Sequence, residues 1–62
     1  MKRFVNEFAN YALKPYEKHP EQHPEAWAAI GKAVVYCERG YITEFEAVDY
    51  ILRAVKKEEG RA

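Results

Sequence analysis

Apolar residues recur along this chain at helical spacing in three separate stretches. At 100° per residue, Phe4, Val5, Phe8, Ala9, Ala12 and Leu13 share one face of a first helix, with Asn6, Glu7, Asn10 and Lys14 opposite. The helix is predicted over about residues 2–14, because Pro15 pushes Lys14 out of the helical region. A second helix is predicted from about Pro24 to Arg39. Proline suits the first helical position, and Glu25 in the first turn complements the dipole. Ala26, Ala29, Ala33 and Cys37 form a strip of small residues flanked by Trp27, Ile30 and Val34, while Glu25, Lys32 and Arg39 mark the solvated side. A third helix is predicted over about 43–58, with Phe45, Val48, Ile51, Leu52 and Val55 as its core stripe. Glu46, Asp49, Arg53, Lys56 and Lys57 form its wet face, and Asp49 with Arg53 makes a favourable i,i+4 pair.

Between the second and third helices lies the chain's most specific local signal, Gly40-Tyr41-Ile42-Thr43-Glu44-Phe45-Glu46. Gly40 suits the left-handed position just past a helix end. Thr43 and Glu46 have the spacing of a capping box, and Ile42 with Ala47 that of a hydrophobic staple. The pattern implies two helices folded back on each other. From Pro15 to Pro24 periodicity disappears. This segment holds all three prolines and both histidines, and is predicted to be a connector with one short helical turn starting at Pro20. The tail 59–62 is expected to fray. The fold class that follows is all-α: a single small three-helix domain over 1–62, with an antiparallel hairpin (about 24–39 and 43–58) packed by the N-terminal helix.

Size sharpens this picture. Sixty-two residues bury only about 60% of their unfolded surface, so the margin of stability is thin. Cys37 is the lone cysteine, which removes an internal disulfide and points to a reducing, cytoplasmic setting. Ten basic and ten acidic side chains cancel, so no global field draws the chain to nucleic acid or anionic lipid. Lys2-Arg3 are followed by Asn6, Glu7 and Asn10 rather than a signal-peptide apolar run, and no stretch is apolar enough for a membrane span.

Three constellations bear on chemistry. His19 and His23, with Cys37, are ligand types for zinc or nickel. Both histidines precede a proline, which disfavours the helical backbone needed to align them, so they read first as surface or capping residues and no metal ligand is assigned. The hairpin has the dimensions of a helix-turn-helix, but the positions that would read bases are Glu44, Glu46 and Asp49, which phosphates repel. A nucleic-acid regulator would need dimerisation to gather Lys2, Arg3, Arg53, Lys56, Lys57 and Arg61 into one patch. Catalytic arrangements are absent: there is no serine, Thr43 is committed to its cap, and Cys37 falls on an apolar side. The chain is therefore expected to be no enzyme and to use no cofactor.

The surplus lies in the aromatics, with five tyrosines, three phenylalanines and one tryptophan. Phe4, Phe8, Phe45 and Trp27 are expected in the core. Tyr11, Tyr16, Tyr36, Tyr41 and Tyr50 fall at the edges of the apolar arcs or in connectors, either as the rim of the core or as an interface, where tyrosine is enriched; Tyr11, Tyr16, Tyr36 and Tyr50 are the interface candidates. The function expected from this balance is a small non-catalytic accessory or regulatory protein that binds a protein partner or itself, most simply as a dimer. The alternatives are a helix-turn-helix nucleic-acid regulator and a metal-binding module on His19, His23 and Cys37.

Overall fold

The computed structural model describes residues 3–60. Three helices pack together: α1 (Arg3–Leu13), α2 (Pro24–Glu38) and α3 (Glu44–Gly60), and no strand occurs among the described residues. The connector holds two 3₁₀ turns, Lys14–Tyr16 and Pro20–Gln22, the second being the turn predicted at Pro20. His19 (φ −138°, ψ 63°) and His23 (φ −135°, ψ 54°) both sit outside the helical region, which a following proline disfavours. No helix among the described residues is long and apolar enough to cross a membrane.

The hairpin turn forms as its residues dictate. Gly40 has φ +80°, the left-handed conformation that glycine adopts without steric cost. The Gly40 amide donates to the Cys37 carbonyl (3.1 Å) and the Tyr41 amide to the Tyr36 carbonyl (2.9 Å), the two bonds of a Schellman ending. Tyr36 and Tyr41 supply its hydrophobic contact, their rings edge-to-face at 5.7 Å. Two residues later the next helix is capped. The Glu46 amide donates to Thr43 Oγ1 (3.1 Å), and the Thr43 amide donates to Glu46 Oε1 (2.8 Å). The start of α2 (Glu25, Ala26, Ala29) shares a groove with the end of α3 (Ala54, Lys57, Glu58), so the two run antiparallel.

The core is small-featured. Val5 and Ala9 of α1, Ile30, Ala33 and Cys37 of α2, and Ala47 and Ile51 of α3 form one buried cluster, with Phe8, Leu13, Val34, Ile42 and Val55 at its margin. Four expected core residues are exposed instead: Phe4 at 62%, Phe45 at 85%, and Leu52 and Trp27 to a lesser degree. For Phe45 the cause is the register of α3. The cap and staple turn Ala47 inward. At 100° per residue Ile51 lies about 40° from Ala47, but Leu52 lies about 140° and Phe45 about 160° away. The inward row is thus Ala47–Ile51–Val55, and Phe45 and Leu52 face out. Trp27 stands one residue beyond buried Ala26 and lies instead beside Tyr11 and Leu13 at the end of α1.

α3 extends to Gly60, two residues past the end expected at about 58, and Arg61 and Ala62 of the tail lie outside the described residues. Glu58 in this last turn meets His23 of the connector, 35 residues away in sequence.

Candidate functional site

Two apolar rows stand side by side on α1 and α3. On α1, Phe4, Phe8 and Tyr11 recur at i, i+4 and i+7, and the Phe4 and Phe8 rings stack with centroids 6.4 Å apart. The apolar arc of α1 runs from Leu13 through Val5 to Tyr11, about 200° of the helix, twice what one core contact needs. Its Val5–Ala9 side is buried, which leaves the Phe4–Tyr11 side turned out. On α3, Phe45, Val48 and Leu52 recur at i, i+3 and i+7 and line a shallow recess. Leu52, 53% exposed, joins the two rows, because it also borders the groove between α1 and α3. That groove, about 360 Å³, is lined by Phe8, Tyr11, Ala12, Ile51 and Val55, with Lys14 and Glu59 at its end. Flanking charges are matched within the chain: Arg3 pairs with Glu7 and Arg53 with Asp49, each at 3.1 Å.

A second cluster ties the connector to the end of α3. His23 Nδ1 lies 2.6 Å from Glu58 Oε2, and Glu58 is 11% exposed on its side chain. The His23 ring leans on Tyr16 with centroids 4.7 Å apart, and Tyr16, at 7% exposure, is the sole buried aromatic. Burial pushes the Tyr16 hydroxyl above its ordinary value near 10, and the negative charges of Glu59 and Glu58 push in the same direction. The consequence for stability has a definite sign. Between its unfolded and folded pKa values Tyr16 keeps its proton in the folded state and has lost it in the unfolded one. The folded state then binds more protons, so stability falls as pH rises. The Tyr16 contribution is whole below about pH 10 and is lost on the alkaline side. Urea midpoints from pH 8 upward should therefore fall more steeply for the wild-type chain than for Tyr16→Phe. Equal slopes would contradict the assignment.

The four tyrosines singled out from the sequence do not come together. Tyr11 alone belongs to the α1/α3 face. Tyr16 is withdrawn under His23. Tyr36 is occupied by Tyr41, with the Lys32 ammonium 5.9 Å from its ring centroid. Tyr50 lines the α2/α3 groove with Arg53 and Lys57. The residues that dominate the exposed face, Phe4, Phe45 and Leu52, were placed in the core by periodicity. The signal that could have placed them outside was the staple, which orients Ala47 and with it the whole of α3.

The other constellations separate as well. His23 precedes α2 and Cys37 lies buried near its far end, fourteen residues and about 20 Å along the axis. His19 is exposed, 3.4 Å from Glu21 within the connector. Among the described residues no three His, Cys, Asp or Glu side chains are grouped to hold a metal ion. Of the basic residues a nucleic-acid surface would use, Arg53 is paired with Asp49, and Lys2 and Arg61 lie outside the described residues. No protein-family model, curated protein or solved structure shows a significant match to this chain.

Proposed function

We propose that this chain is a small non-catalytic domain that acts by binding protein through the α1/α3 face. The observation that carries the reading is the continuous apolar surface of Phe4, Phe8 and Tyr11 beside Phe45, Val48 and Leu52. Scattered exposed apolar residues are ordinary, but two adjacent helical rows joined by Leu52 are the pattern of helix-in-groove recognition. The groups with reactive chemistry are engaged structurally. Thr43 caps α3, Cys37 is buried, and His23 holds Glu58. A photo-crosslinking benzoylphenylalanine in place of Phe45 tests the reading in the native host. It should give discrete protein adducts, while the same group in place of Val35, exposed on α2, should not. Absence of any protein adduct from position 45 would overturn the proposal.

A further inference from the structure

We propose that the recess between the end of α1 and the start of α2 binds a methylated organic ammonium ion. The site is distinct from the α1/α3 face and shares only Tyr11 and Lys14 with the groove there.

Two aromatic rings from different helices line this recess of about 490 Å³. Tyr11 stands in the last turn of α1, and Trp27, the chain's only tryptophan, stands in the first turn of α2. Both are exposed, Tyr11 at 74% and Trp27 at 38%. Phe4 packs on Phe8 and Tyr36 on Tyr41, but among the described residues Tyr11 and Trp27 meet neither another ring nor a cation. The face of an aromatic ring carries the negative side of its quadrupole and attracts a cation, tryptophan most strongly.

The charges of the recess have the sign that such a cation needs. The 3₁₀ turn at Lys14–Tyr16 bends the chain after α1 and brings Glu17 to the recess, which Glu7 also lines. The Glu17 carboxylate has no hydrogen bond or ion pair among the described residues. Glu7 has only its exposed contact with Arg3, a kind of pair that solvent screens to little. Lys14 is the single cation of the lining, and among the described residues it lies over neither ring and pairs with neither carboxylate. Two carboxylates against one ammonium leave the recess negative. Methyl groups complete the match: they spread the charge over an apolar surface that rests on indole and phenol, whereas a bare ammonium is compact and strongly hydrated.

Because Trp27 is the only tryptophan, its fluorescence reports the site without a label. At an exposed position each ring adds about two- to fivefold in affinity, so dissociation constants should fall in the millimolar range. Titrating the full chain with choline at constant ionic strength should give a saturable change in Trp27 emission. The uncharged isostere 3,3-dimethylbutan-1-ol should give none. Tyr11→Leu and Glu17→Gln should each weaken choline by about two- to fivefold, and Lys14→Gln should strengthen it. Tyr41→Leu, at an exposed ring in the hairpin turn, should leave it unchanged. Tetramethylammonium and a short peptide carrying trimethyllysine form the other arms. Choline tighter than both identifies a free cation as the ligand, and the peptide tighter than both identifies a modified side chain. No saturation by about 100 mM choline, an equal response to the isostere, or unchanged affinity in both Tyr11→Leu and Glu17→Gln would each overturn the proposal. The protein-binding reading of the α1/α3 face stands or falls separately, on crosslinking at position 45.

Discussion

Ile51→Ala should leave the chain largely unfolded at 25 °C. Ile51 is fully buried, at the centre of the cluster where Ala47 of its own helix meets Ile30 and Ala33 of α2 and Val5 and Ala9 of α1. Truncating a fully buried isoleucine to alanine costs about 2–5 kcal/mol, the transfer free energy of the lost carbons plus the cavity left behind. The neighbours here are mostly small, and buried Ala9, Ala33 and Ala47 have no longer side chain to move into the space. The structure therefore has little freedom to collapse into the space, which favours the upper half of that range. A single core of this size rarely supplies more than about 3–5 kcal/mol in total, so one substitution removes most of it. Far-UV circular dichroism with urea titration reads the outcome directly. Ile51→Val, costing about 0.5–1.5 kcal/mol, should stay folded and give a measurable midpoint shift. A loss below about 1 kcal/mol for Ile51→Ala would mean that α3 does not present this face to the core.

The elements themselves were legible because each is bounded by residues with local, stereochemical reasons to be there. Pro15 and Pro24 limit the connector, Gly40 ends α2, and Thr43 with Glu46 begins α3. These signals act over four or five residues and need no knowledge of the rest of the chain. The facing of the helices was less legible. Phe45 and Leu52 are apolar and share a helical face with Val48, so periodicity assigns them inward. What decides is the staple: once Ala47 points in, the row containing Phe45 points out, whatever its hydrophobicity. A wide apolar arc cannot say which half of itself is the core, and α1 shows the same ambiguity, with Val5 buried and neighbouring Phe4 exposed. The His23–Glu58 contact was not legible at all. It joins residues 35 apart in sequence, and only the antiparallel run of α2 and α3 brings the start of one beside the end of the other.

That contact carries the second large effect. His23→Ala should destabilise the chain by about 1.5–3 kcal/mol, the range for hydrogen bonds to charged groups, and the partial exposure of His23 places it toward the lower end. Either protonation state of the ring can serve, because an Nδ1–H of neutral imidazole or of imidazolium donates to the carboxylate. His19 is the internal control. It lies in the same connector, also precedes a proline, and is also near a glutamate, but it is exposed and 3.4 Å from Glu21. His19→Ala should fall within about 0.5 kcal/mol of the wild-type chain, as surface substitutions do. The two losses should also differ in where they act. Without His23 the last turn of α3 loses the bond that carries it past Glu58, so amide exchange should quicken at Glu58–Gly60 before it quickens at Ala47 or Ile51. The Tyr16 ring loses its cover in the same variant, so its hydroxyl should titrate closer to the ordinary tyrosine value and the alkaline fall in stability should shrink. If His23→Ala and His19→Ala cost the same, the connector is held by its prolines alone. If His23→Ala costs more but the exchange at the end of α3 is unchanged, the bond stabilises the connector and leaves the helix end to its own propensity.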